Sequence, residues 1–210
     1  MSAQMKNPIR RLVVFCCAGA LALSLAGCFG AAPPVPKEQY FRLVTIETPQ
    51  AIGNPLPGIV EVAPLLSEGV LGERPLLFTS NGGQKLEQRN YAYWTDPPPA
   101  MLRDQLVTYL TAAGIAQRVV PSELRIASQY RLQGRILRLE QVSPTGGGNG
   151  GVIALELSLI DKANDGILTS GRYEVAKEAT GANIDDAVQA LNNGLNEILA
   201  AFVADLAQAR

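Results

Sequence analysis

No histidine occurs anywhere in the 210 residues, and that absence excludes a good deal. Imidazole is the side chain whose charge changes near neutral pH, and it is the usual base of a nucleophilic triad. Cysteine is nearly as scarce: the three residues are Cys16, Cys17 and Cys28. Beyond Cys28 the chain can form no disulfide, so a fold there must be held by its core alone, which a domain of this size can do. Charge of one sign is missing too. Lys and Arg number 18 against 19 Asp and Glu, without the clustered basic residues that a nucleic-acid partner requires. Asp and Glu are present, but no pair sits in a recognisable catalytic context. Asp185 and Asp186 fall in the first turn of a predicted helix, where negative charge stabilises the dipole.

The N-terminus is better endowed. Lys6, Arg10 and Arg11 form a positive region, Leu12 to Leu25 an apolar one, and Leu25-Ala26-Gly27-Cys28 closes it. Charge, apolar run and small residues in that order make an export signal. The apolar run falls short of the roughly 20 residues that a membrane span needs. Leu-Ala-Gly-Cys reads as a lipobox, with cleavage before Cys28 and acylation of its thiol. Cys16 and Cys17 then leave with the leader, and 183 residues remain. Basic residues fall from 18 to 15 while the 19 acidic ones stay, a net charge of −4. Charge would not hold such a chain on anionic lipid, so attachment falls to the acyl chains, at about 0.8 kcal/mol per buried methylene. Phe29, rather than aspartate, follows Cys28, which favours the inner leaflet of the outer membrane. Phe29 to Lys37 contains three prolines and predicts an extended tether, roughly 25–30 Å long at most. The expected organisation is residues 1–27 as signal peptide, 28–38 as acylated cysteine and tether, and 39–210 as one domain.

Tyr40 to Ile46 is rich in strand formers and predicts a first strand. Ile59 to Ala63 and Leu76 to Thr79 predict two more, and Asn81-Gly82-Gly83 a hairpin turn back through Lys85 to Arg89. After Asp96-Pro97-Pro98-Pro99, Leu102, Leu106, Leu110 and Ala113 keep helical spacing up to Gly114. Three long strands follow. In the first, Tyr130, Leu132 and Ile136 share one phase while Leu137 and Leu139 take the other, so a bulge is expected near Gly134 to Leu137. In the second, Ile153, Leu155, Leu157 and Leu159 alternate against Ala154, Glu156 and Ser158. Asn164-Asp165-Gly166 turns the chain into the third, Ile167 to Ala176. A long amphipathic helix starts near Ile184 with Asn183 as N-cap; Val188, Leu191, Leu195, Ile198, Leu199, Phe202 and Leu206 form its stripe. The expected fold class is α+β: a single, largely antiparallel twisted sheet with two main helices packed on one face.

Two loops invite and fail a chemical reading. Gly146 to Gly151 lacks the Lys-Ser/Thr of a phosphate loop and leads into a strand, so it reads as a hairpin connection. Asp161 to Gly166 opens like a calcium loop, but Ala163 takes a ligand position and Arg172 stands where the bidentate Glu belongs. No cofactor and no metal site is expected. Tyr91, Tyr93 and Trp94 leave two readings open. Trp94 packs under the first helix as core, or the three aromatics form a contact surface for a partner or an acyl chain.

Ile59-Val60-Glu61-Val62-Ala63-Pro64, then Leu71-Gly72-Glu73-Arg74-Pro75-Leu76-Leu77, then Tyr93-Trp94 before a helix, resemble the auxiliary lipoproteins of ABC-type transport systems, the PqiC-like family. A strand ending in proline, a Leu-x-x-Arg-Pro element and a Trp before the first helix come in the family's order, and the resemblance covers essentially the whole mature domain, including the lipobox. The glycine connection at Gly146 to Gly151 departs from the pattern. The resemblance implies a non-enzymatic component of phospholipid transport, working beside an ABC permease and ATPase and Mce-type periplasmic proteins, and anchored facing the periplasm by acyl chains such as palmitate on Cys28. A rival reading is a lipoprotein that itself binds a lipid or small ligand, which needs an apolar cavity. Homo-oligomerisation stays open.

Overall fold

The computed structural model describes residues 34–80, 85–143 and 148–209, and one compact unit runs from Lys37 to Arg210. The lipobox with Cys28, the Asn81-Gly82-Gly83 turn, and Gly146 and Gly147 lie outside the described residues. No helix among the described residues is long and apolar enough to cross a membrane.

The spine of the sheet is β6 (Tyr130–Val142). Along one of its edges β7 (Gly150–Asp161) runs antiparallel for its whole length, followed by antiparallel β8 (Gly166–Glu178). The other edge of β6 is shared. β2 (Leu56–Val62) pairs parallel at one end, Val60 against Tyr130; Leu66 bridges Arg135; and β3 (Pro75–Ser80) pairs parallel at the far end, Phe78 against Gln141. Outside β2 lies parallel β5 (Ala116–Pro121). Outside β3 lie antiparallel β4 (Lys85–Trp94) and then β1 (Gln39–Phe41), parallel to β4.

This is a curled mixed sheet, an open half-barrel, and the expectation of a largely antiparallel one is not met. Four of the seven strand pairings among the described residues are parallel. The reason is topological. Tight turns announce antiparallel partners locally, whereas a parallel pair needs a crossover whose partner no nearby residue names. β5 falls outside the expected strands altogether, a short piece with a single buried side chain, Val119.

Among the described residues two α-helices cover the sheet. α1 (Pro98–Ala112) opens with proline in its first turn, where a missing N–H costs nothing, and ends at Gly114, whose φ of 63° is left-handed. In α2 (Ile184–Gln208) the Asn183 side chain caps the first turn by accepting from the Asp186 amide at 2.9 Å. Its apolar stripe from Val188 to Leu206 is buried as the spacing predicts, and it shares one core with Leu102, Leu106 and Leu110 of α1. The bulge on β6 falls between Ile136 and Arg138. By inserting one residue it returns Leu139 to the core face that Leu132 and Ile136 occupy.

Candidate functional site

The first expected strand is shorter than its composition suggests, and the shortfall builds a surface. β1 stops at Phe41, and the chain continues extended but off the sheet. Its backbone amides turn instead to side chains of the two helices. Val44 N–H donates to Asn192 Oδ1 at 3.0 Å, Thr45 N–H to Gln105 Oε1 at 2.9 Å and Glu47 N–H to Asn196 Oδ1 at 3.4 Å. Asn192 and Asn196 are buried on an otherwise apolar helix face. Polar groups so placed must be hydrogen-bonded, and this strap is what they hold. Their role was not visible in the sequence, where two asparagines on a helix carry no sign of their partner.

At the start of the strap the residues of the Leu-x-x-Arg-Pro element converge with the tyrosines. Arg74 Nε donates to the carbonyl of Trp94 at 3.1 Å, and the Trp94 amide returns a bond to the Arg74 carbonyl at 2.7 Å. The guanidinium carbon lies 5.6 Å from the Tyr40 ring centroid, within reach of a cation–π attraction. Tyr40 in turn packs 5.8 Å from Tyr93. The Tyr40 hydroxyl donates to the Glu38 carboxylate, and that bond raises the phenol above its ordinary value. Glu38, Tyr40, Arg74, Pro75 and Tyr93 line a shallow cleft of about 300 Å³.

The three aromatics of the sequence reading therefore separate. Trp94 is 1% exposed, one of the largest fully buried side chains, and belongs to the core. A contact role for Trp94 is corrected accordingly: its partner on β1 is the inward-facing Phe41, and an indole in the core touches nothing outside. Tyr93, one residue earlier, faces the other way beside Tyr40. Tyr91 is exposed with a φ of 61°, inside an irregular stretch of the β3–β4 pairing. A positive φ is uncommon for such a bulky residue.

Elsewhere ion pairs mark the surface. On the sheet face away from the helices, Arg131 Nε donates to Glu61 Oε1 at 2.7 Å and Lys162 approaches the same oxygen at 3.4 Å. Burial opposes ionisation of Glu61, but bonds from Arg131 and Ser128 and the nearby Lys162 charge outweigh it, so its pKa is lowered. Arg138 bridges Glu140 and Glu174. A groove of about 360 Å³ lies beside the strap, lined by Ile52, Tyr109, Ala200, Val203 and Ala204 among others. Among the described residues no cluster of Asp, Glu or Cys could hold a metal ion. The Asp161–Gly166 segment is a turn in which Asp161 and Asn164 accept backbone amides at 2.9 and 2.8 Å.

The glycine connection has an anchoring residue that sequence reasoning missed. Asn149 is buried; it accepts from Gln141 Nε2 at 2.7 Å and donates to the carbonyls of Gly181 and Asn183 at 3.0 and 2.7 Å. It thereby fixes the entry to α2. Two residues on, a Cβ at Gly151 would lie 2.7 Å from the Leu191 side chain, so glycine there admits the helix.

Comparison with known proteins agrees with this architecture. Protein XCC0632 from Xanthomonas campestris superposes with a TM-score of 0.71 at 17% identity, over 81% of this chain and 96% of that one. An uncharacterised protein gives 0.59 at 14% identity, over 80% and 98%. PelC from Paraburkholderia phytofirmans, a dodecamer, gives 0.46 at 16% identity, over 79% and 96%. For the first two, at such identities, the likeness extends to the fold alone. No curated protein matches the chain significantly. The model of one family, the ABC-type transport auxiliary lipoprotein component, matches residues 43–203. That span runs from the strap to the last turns of α2, and this chain belongs to the ABC-type transport auxiliary lipoprotein family.

Proposed function

We propose that this protein is a non-enzymatic envelope lipoprotein, held by acyl chains on Cys28 to the inner leaflet of the outer membrane, that serves an ABC-type, Mce-linked phospholipid transport system. The family match over residues 43–203 carries this reading. Three features of the chain support it. The leader ends in Leu25-Ala26-Gly27-Cys28. A short proline-bearing tether separates that cysteine from a folded unit beginning at Lys37. That unit spends its buried polar groups on holding itself together, as the strap and the Asn149 clamp illustrate. Its role is to fix or guide the complex at the membrane while the permease and ATPase supply energy. Tyr91, which is exposed, and Tyr93, which is half-buried, are the aromatics through which it would meet a partner or lipid.

The test is fractionation followed by co-purification. Wild-type protein is expected in the outer-membrane fraction, and Cys28→Ser as a folded protein lost from that fraction. From detergent-solubilised envelopes the wild type should bring down a permease, an ATPase and an Mce-type protein. Outer-membrane recovery of Cys28→Ser would refute the anchor. Purification with none of the transport proteins would refute the assignment to such a system.

A further inference from the structure

The strap has a second face. Phe41, Leu43 and Thr45 point inward, with Leu43 buried in the core. The alternate residues Tyr40, Arg42, Val44 and Ile46 point outward. Tyr40 is 54% exposed, Val44 37% and Ile46 55%; Arg42 is exposed and makes no ion pair among the described residues. Because the amides of Val44, Thr45 and Glu47 are engaged with the helices, this face offers side chains rather than a strand edge. β1, from which it continues, ends the sheet, with β4 as its sole strand partner among the described residues.

Two β-branched aliphatics, a tyrosine and an unpaired guanidinium in one row match the chemistry of a phospholipid surface. Tyrosine rings settle at headgroup level, short aliphatic side chains reach the upper acyl region, and guanidinium binds phosphate by paired hydrogen bonds. Position supplies the further argument. Tyr40 follows Cys28 by twelve residues, a contour of at most about 37 Å at polyproline rise. A face tethered so closely meets the bilayer at an effective concentration on the order of millimolar, so weak intrinsic affinity suffices. We infer that Tyr40, Arg42, Val44 and Ile46 form a membrane-docking face, which seats the folded unit on the phospholipid surface that carries its anchor. This rests on the reading of Cys28 as acylated.

With Cys28 acylated, the mature chain has no other thiol, so a single introduced cysteine can be labelled specifically. Val44→Cys, Ile46→Cys and, at the opposite end of the sheet, Ser170→Cys would carry an environment-sensitive fluorophore on the mature lipoprotein. The protein would be reconstituted in phosphatidylethanolamine–phosphatidylglycerol vesicles containing a headgroup-level quenching lipid. Quenching at 44 and 46 is expected to exceed that at 170 by at least twofold, and Arg42→Glu should reduce it toward the control. Equal quenching at all three positions overturns the docking face, as does burial of the probes only on adding envelope proteins, which would assign the face to a protein partner. Mass spectrometry of the same preparations reports acylation separately. Should Cys28 prove bare, a Cys28→Ser chain held by an N-terminal polyhistidine on chelating lipid poses the docking question again, with the same outcomes on either side.

Discussion

The two ends of the sheet are built on different principles. From β6 to β8 consecutive strands pair antiparallel along their whole lengths, and α2 lies over them. Tyr173 on β8 is tied to Asp205 of α2 at 2.7 Å, and burial together with that bond pushes its phenol well above the ordinary value. From β1 to β4 the pairings are short or irregular. The strap beyond β1 is fixed by side-chain amides that lie 60 to 149 residues away in sequence, Thr45 to Gln105 and Glu47 to Asn196 for example. One end is held by its own neighbours, the other by reaching across the chain. The end that reaches across is also the one that carries the proposed docking face, so that proposal falls on the less self-sufficient part of the fold.

Substitutions at the two ends should therefore differ in both size and reach. The largest effect is expected at Phe202, fully buried on the inner face of α2 and edge-on to Tyr173 at 6.1 Å. Phe202→Ala should cost about 3–5 kcal/mol, seen as a lower urea midpoint for the whole unit. Asn192→Ala removes the acceptor of the Val44 amide and should cost about 1–3 kcal/mol. Native-state hydrogen exchange should show the loss of protection confined to residues 43–48, while β7 amides keep theirs. Global loss of protection would mean that the strap and the β6–β8 end are one cooperative unit, and the comparison would fail. Arg74→Ala breaks the bond to the Trp94 carbonyl and the contact with Tyr40. About 1 kcal/mol is expected there, with faster exchange at β1.

The smallest effect concerns pH and belongs to the polar face of the sheet. Glu61 is held below its ordinary value of 4.5 in the folded state. Its ionised form is thus favoured by folding, and the resulting stability is complete above the ordinary carboxylate range and lost as pH falls through the folded pKa. The stability gap between wild type and Glu61→Gln should be widest near neutral pH and close in acid. A gap that widened in acid would show that Glu61 is not stabilised as the carboxylate.

The same contrast explains what could be read from the residues alone. The bulge on β6 was announced by the change of phase between Ile136 and Leu137, the Asn164-Asp165-Gly166 turn by its composition, and α2 by its stripe and cap. Each is a local signal, and most lie at the β6–β8 end. Tyr40 to Ile46 carried the composition of a strand, yet only Gln39–Phe41 pair, because what captures the rest is Gln105 and a pair of asparagines far along the sequence. Parallel pairing of β2 and β3 with β6 was hidden for the same reason. Trp94 could be read either as core or as contact, and the parity of its strand decided for core. Tyr93, the adjacent residue, therefore points outward.

Asn149 precedes Gly150, the pairing of residues in which asparagine ages fastest, because an unhindered glycine nitrogen can attack the side-chain amide and release ammonia. In the folded unit that amide is fastened on both its oxygen and its nitrogen, which keeps it from swinging toward the backbone. Were it to hydrolyse, the new carboxylate would confront two carbonyl oxygens at the mouth of α2. Chemical longevity and correct folding thus depend on the same three hydrogen bonds: a molecule that opens here, even briefly, starts a clock that its native form holds still.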